Sequence, residues 1–150
     1  MDAVDRKILA ELQVEGRLTV TELASRLPLS VSRCQRRVRD LEARGVVRGY
    51  HADINSAAVG LGFTAIVFVV MQQEDQRTVA AFEEQVAAVP AIVSAQRLFG
   101  DPDYLLRVVA ADLDAYRRIY DGQLAALPGV QRLTSTLVMK DVVPARGLPL

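Results

Sequence analysis

The chain predicts an α+β fold: an N-terminal three-helix unit of winged helix-turn-helix layout, then a βαββαβ unit of ferredoxin-like type. Three observations predict it. The hydrophobic period is helical up to about residue 50 and strand-like after a glycine-containing connection. Two short helical segments meet at Pro28. The second half repeats itself, because VAAVPAIV at 86–93 is echoed by LAALPGV at 124–130.

The first helix is expected from Val4 to Glu15, with Val4, Ile8, Leu9 and Leu12 on one face and Gly16 as its stop. Thr19 with Glu22 three residues on predicts a capping box, so a second helix starts near Val20 and buries Leu23, Ala24 and Leu27. Pro28 disfavours helical geometry at Leu27 and ends it. Ser30 is expected to cap a third helix, in which Val31, Cys34, Val38 and Leu41 share a face. At 100° per residue the opposite face carries Ser32, Arg33, Arg36 and Arg39, with Arg37 on the flank.

A solvated polar face over a core stripe is the ordinary reading of one such helix. Here, however, Arg26 to Tyr50 holds seven arginines against Asp40 and Glu42, a local net charge of +5. A face needed only for solubility mixes signs, whereas the planar guanidinium fork suits phosphate and the guanine edge. Gly45 to Tyr50 then reads as a short strand in the position of a wing. Double-stranded DNA is therefore the expected partner, with Ser32, Arg33 and Arg36 at base edges and Arg37, Arg39 and Arg48 on phosphates.

Charge is spread to match. Residues 1–50 carry a net +3 and residues 51–150 a net −3, cancelling over 150 residues. A basic head on an acidic body suits a phosphate-binding module joined to one of another kind. The single cysteine excludes an internal disulfide and fits a reducing cytoplasm; on the apolar seam, Cys34 reads as a small buried hydrophobe rather than a redox switch. No targeting signal is visible. The longest apolar run, Ala65 to Met71, is far too short for a bilayer, so no membrane partner is expected.

Residues 51–62 read as a linker, which sets the expected domains at 1–50, 63–140 and a tail at 141–150. The second domain predicts a strand from Thr64 to Gln72, a helix from Gln76 to Val89 with Val79, Phe82, Val86 and Val89 inward, and a strand from Ile92 to Phe99. Its second half predicts a strand from Tyr104 to Ala110, a helix from Leu113 to Leu127 capped by Asp112, and a strand from Val130 to Lys140. Ile66 to Met71 is apolar on both alternating sets, which implies burial on both sheet faces. Helices cover one face only. A second copy of the sheet is the simplest cover for the other, so a homodimer is expected. The tail, with two prolines, predicts little order.

No catalytic constellation is legible. His51 is the one histidine and Cys34 the one cysteine, which leaves neither a zinc site nor a Ser-His-Asp arrangement, and no phosphate loop or dinucleotide fingerprint appears. Neither an enzyme nor a cofactor is expected. The concentrated polar motif is Gly100-Asp101-Pro102-Asp103-Tyr104. Its plain reading is a β-turn. The second reading is a preorganised loop for a small zwitterion, in which carboxylates hold an ammonium and turn amides hold a carboxylate.

The order of elements and motifs resembles the Lrp/AsnC (leucine-responsive, or feast/famine) transcription regulators of bacteria and archaea. The resemblance rests on Asp5-Arg6-x-Ile8-Leu9, Glu22-Leu23-Ala24, Leu29-Ser30, Cys34-x-x-Arg37-Val38-x-x-Leu41-Glu42 and Gly45-Val46-Val47-x-Gly49-Tyr50. In the second half it continues through Gly100-Asp101-x-Asp103-Tyr104-Leu105-Leu106, Tyr116 and Leu127-Pro128-Gly129-Val130. It implies a winged helix-turn-helix, a C-terminal αβ-sandwich (RAM) domain, dimers that assemble to octamers, and an amino acid effector near the GDxDY loop. Carried onto this chain, it implies Gly100, Asp101, Asp103 and Tyr104, with Ser135 on the last strand, as effector contacts. Two positions depart from the family pattern. Leu133 stands where a hydroxyl residue is common, and Pro28 where a glycine is common. Leu133 keeps open a ligand-independent architectural DNA-binding protein, and a metabolite-binding module without DNA function is the alternative of another class.

Overall fold

The computed structural model describes residues 1–72, 75–143 and 146–150. The chain forms two compact units, one of residues 1–53 with 142–150 and one of residues 54–141.

In the first unit, α1 (Ala3–Val14), α2 (Val20–Arg26) and α3 (Val31–Ala43) enclose a core of Ile8, Leu9, Leu23, Ala24, Leu27, Cys34, Val38 and Leu41. Each boundary has a local cause. Asp2 caps α1 and Asp5 returns the bond to the Asp2 amide, a carboxylate capping box that starts the helix one residue earlier than expected. Thr19 and Glu22 form the expected box on α2. Leu27 is extended at φ −120°, as a residue before proline must be. At α3 the expectation is only half met, since Ser30 occupies the cap position without a side-chain bond to the helix amides. Its hydroxyl faces that of Ser32 instead.

The expected wing strand is absent: residues 45–50 form no strand. Gly45, at φ +68°, closes α3 by donating to the Glu42 carbonyl while Val46 donates to Leu41, the two bonds of a Schellman cap. The segment's first amides are therefore spent on the helix and unavailable to a ladder. Tyr50 then ties the segment to α3 through a 2.9 Å bond to Glu42. Gly16 does not stop α1 by a left-handed turn; Glu15 ends it in a non-helical conformation.

The tail is likewise more ordered than its composition suggests. Residues 146–150 lie against α1, where the Gln13 side-chain amide donates to the Leu148 carbonyl and accepts from the Leu148 amide. Gly147 lies so close to Gln13 that an added Cβ would sit 2.9 Å from its amide carbon. Leu148 and Leu150 line a cavity of about 630 Å³ with Leu9, Leu12, Val47 and Tyr50. Pro144 falls outside the described residues.

The second unit runs β1 (Phe63–Met71), α4 (Gln76–Ala88), β2 (Ile92–Arg97), β3 (Tyr104–Ala110), α5 (Leu113–Ile119) and β4 (Val130–Leu137). The strands form one antiparallel sheet in the order β2-β3-β1-β4, the split βαβ topology expected. Ala65, Val67, Val69 and Met71 on β1 and Tyr104, Leu106, Val108 and Ala110 on β3 join Phe82, Val86, Tyr116 and Leu124 in the core. Ile66, Phe68 and Val70, on the opposite face of β1, are half-buried.

Three elements end two or more residues sooner than expected. β2 stops at Arg97, after which Leu98 donates to Asp103 and closes the turn, leaving Phe99 fully exposed. β4 stops at Leu137, the partner of Ala65, with Val138 still donating to the Thr64 carbonyl beyond it. α5 is regular only to Ile119 and widens into a π turn over Tyr120–Leu124. Gly122 is a poor helix former, and the wider turn delivers Leu124 fully into the core.

Candidate nucleic-acid interface and effector cleft

The α3 seam holds Cys34, Val38 and Leu41 inside, which forces the rest of the helix outward. Ser32, Arg33, Arg36 and Arg39 are exposed on α3, as is Arg48 on the segment after it. None of these four arginines forms an ion pair among the described residues. Three other arginines of the unit, Arg26, Arg37 and Arg44, are committed. Arg26 joins α2 to α1 through Glu11 at 3.1 Å and Glu15 at 2.6 Å, and Arg44 pairs with Asp40.

Arg37 requires a correction. It was expected on phosphates, but one guanidinium nitrogen lies 2.8 Å from Asp2 and 2.6 Å from Asp5. Asp5 is the one buried charged residue of the described chain. Its carboxyl is held below the usual range first by the Asp2 backbone amide, then by Arg37 against the cost of burial. The Asp2 carboxyl is lowered by the Asp5 amide and by Arg37. Arg37 thus fastens α3 to the first turn of α1 and orients the helix rather than presenting its charge. The sequence signal was Asp-x-x-Asp at residues 2–5, legible as a capping box but not as half of an ion-pair cluster.

Cys34 is buried, and burial raises its thiol pKa, as suits a small core residue. His51 packs its ring over Gly49, whose added Cβ would lie 3.1 Å from Nε2. Among the described residues no His, Cys, Asp and Glu cluster suits a metal ion.

In the second unit, Gly100, Asp101, Asp103 and Tyr104 line a cleft of about 740 Å³ together with Val79, Arg97, Leu98 and Phe99. Gly100 makes the turn at φ +132°, and the Asp101–Pro102 peptide bond is cis. The four expected residues are not equivalent. Asp103 is committed to the fold: its carboxylate accepts from the Met71 amide at 2.7 Å, its amide donates to Val69 and its carbonyl accepts from Leu98. Tyr104 is buried against Phe82, with ring centroids 4.6 Å apart, and its hydroxyl donates to Glu83 at 2.9 Å. Burial, then the Glu83 bond and charge, push its pKa up to about 12, so it is a neutral wall of the cleft. Asp101 is exposed and makes no hydrogen bond among the described residues.

Ser135 is not brought to this cleft within the chain. It pairs with Val67 on β1, whereas Tyr104 pairs with Val69, and its hydroxyl is bonded to Tyr116. Leu133, opposite Val69, packs against the core, so its apolar side chain fills space at that position. Among the described residues Arg97 is the charged cleft residue that sequence reasoning missed. A bulge at Val93 shifts β2 by one residue, so Ile92, Ala95 and Arg97 share the face of Val108, Leu106 and Tyr104. Strict alternation from Ile92 would have turned Arg97 to the other face.

An exposed, unpaired arginine face on a buried helix seam, joined to a sheet domain with a polar cleft, defines a DNA-binding transcriptional regulator with a ligand-binding domain. Comparison with known proteins places it among them. Residues 1–48 match the winged helix-turn-helix DNA-binding model and residues 64–148 the Lrp/AsnC ligand binding domain model, so the chain belongs to the Lrp/AsnC family. It is 37% identical to the leucine-responsive regulatory protein of Rhizobium meliloti, over 97% of this chain and 93% of that one. It is 34% identical to the Bkd operon transcriptional regulator of Pseudomonas aeruginosa, over 100% and 98%. Among solved structures, a transcriptional regulator of Neisseria meningitidis in complex with L-methionine superposes with a TM-score of 0.93 at 36% identity, covering 99% of this chain and 96% of that one. A feast or famine regulatory protein of M. tuberculosis complexed with L-methionine gives a TM-score of 0.85 at 34% identity, with 98% and 97% covered.

Proposed function

We infer that this chain is a cytoplasmic, non-enzymatic regulator that reads operator DNA with Ser32, Arg33 and Arg36, grips phosphates with Arg39 and Arg48, and is controlled by an amino acid bound at the Gly100–Tyr104 cleft. The observation that carries the reading is the division of arginines in the first unit. Among the described residues those on the outer face of α3 and Arg48 lack acidic partners, as do Arg6 and Arg17, while Arg26, Arg37 and Arg44 are paired. Unpaired guanidinium groups on one helix face are what phosphate and base-edge contacts require.

The working form is a homodimer that assembles further, to an octamer. Ile66, Phe68 and Val70 on the open sheet face support it, because they are apolar and only half-covered within one chain. A second copy laid on that face supplies two DNA-binding units for two half-sites. Amino acid control is supported by the free carboxylate of Asp101 in the cleft and by the L-methionine complexes of the two relatives.

The test is light scattering in parallel with fluorescence anisotropy on the DNA upstream of the protein's own coding sequence, with and without the twenty amino acids. A change in assembly or DNA affinity with one amino acid is the expected result. Tight DNA binding with no response to any of them refutes the sensor and leaves an architectural protein.

A further inference from the structure

We propose that Arg97 is the anchor for the effector's α-carboxylate, with Asp101 as the counter-charge for its ammonium, so that the cleft takes a free α-amino acid with an apolar side chain. The proposal rests on the sensor reading above and assigns the polarity of that site.

Among the described residues three ionic side chains line the cleft. Asp103 is tied into the fold, with one carboxylate oxygen, its amide and its carbonyl serving Met71, Val69 and Leu98, so the two others are the cleft's unengaged ionic groups. They are one of each sign. Arg97 donates no hydrogen bond among the described residues, and its nearest carboxylate, Glu83, stands 3.9 Å away with the same oxygen already accepting from Tyr104 at 2.9 Å. The guanidinium lies 6.0 Å from the Tyr104 ring centroid, which steadies the group without occupying its N–H donors. A cation with a planar donor fork, half-exposed and unsatisfied, is suited to a carboxylate.

Its placement is built into the fold. The bulge at Val93 brings Arg97 onto the helix-side face, and the turn closed by Leu98 and Asp103 brings Asp101 to the same cleft. Val79, Leu98 and Phe99 supply apolar wall between and around them. One anion site, one cation site and an apolar wall match a zwitterion carrying a hydrocarbon or thioether side chain. An amine, a fatty acid or an amino alcohol satisfies only part of the set.

The experiment is titration calorimetry on the full chain with L-methionine and L-leucine and with L-methioninol and L-leucinol, which replace the carboxylate by a hydroxyl. Wild type is expected to prefer the acid over the alcohol by about 10- to 100-fold, the range of one charged hydrogen-bonded contact. Arg97→Gln is expected to lose most of that preference, and Arg97→Lys to restore part of it. Thermal melting of each variant shows that the fold is intact, and the acid-to-alcohol ratio does not move with a general loss of stability. An unchanged ratio in Arg97→Gln overturns the carboxylate assignment while leaving the sensor standing. No binding of either amino acid by wild type overturns the sensor reading for apolar amino acids, and this assignment with it.

Discussion

Asp103 tests whether a residue builds the Gly100–Tyr104 loop or would touch a bound effector. Its carboxylate accepts from the Met71 amide at 2.7 Å, joining the loop to the last residue of β1. A charged acceptor on a half-buried amide contributes about 1.5–3 kcal/mol, and removing it also leaves that amide without a partner. Asp103→Ala is therefore expected to cost about 2 kcal/mol. In a folding unit of residues 54–141 that lowers the melting temperature by roughly 10 °C. Asp103→Asn keeps an acceptor at the same place and should lose no more than about 1 kcal/mol. Urea denaturation followed by circular dichroism gives both values, and calorimetry with an amino acid gives the binding. The reasoning predicts that Asp103→Asn binds nearly as wild type does. If Asp103→Ala is as stable as wild type, or Asp103→Asn is stable but loses the ligand, the carboxylate is a ligand contact and the structural assignment is refuted.

Arg33→Ala should relax sequence preference, whereas Arg48→Ala should weaken operator and random DNA alike and reduce the salt slope by about 1; equal losses on both DNAs for Arg33→Ala refute its base-edge role. The depressed carboxyl pKa values of Asp2 and Asp5 give a signed acid response. Their stabilisation is fully present above the ordinary value of 3.8 and is lost as pH falls through the lower folded values. Helical circular dichroism should therefore show an acid limb below about pH 4 that Arg37→Met flattens by starting from a lower plateau. Gln13→Ala removes both bonds to Leu148, so trypsin should cleave after Arg146 faster in the variant, read by mass spectrometry; an unchanged rate means the tail is not held there.

The elements were largely legible because their causes are local. Thr19, Pro28 and Asp112 act within four residues, and the periods of 3.6 and 2 mark which face is buried. What escaped depends on partners far along the chain. Arg37 looks like its neighbours on α3 until Asp2 and Asp5, more than thirty positions away, are placed beside it. Arg97 was hidden by a single-residue bulge that inverts the alternation of β2. The wing failed as a strand for a nearer reason, since Gly45 and Val46 spend their amides on the α3 cap. Of the candidate site residues, Gly100 and Asp101 line the cleft, while Ser135 belongs to a bond with Tyr116 that no spacing announces.

The seating of Gly147 and Leu148 on Gln13 also bears on biosynthesis. The core of the first unit, from Ile8 to Leu41, emerges from the ribosome early and can close by itself. Leu148 and Leu150, which line a cavity with Leu9, Leu12 and Arg48, are made only after the sheet domain. At about 5–20 residues per second, some five to twenty seconds separate the two. The DNA-binding unit therefore begins folding first and gains its C-terminal segment only once the sheet domain has been translated, so a chain that stalls within that domain lacks the wall of the cavity beside Arg48.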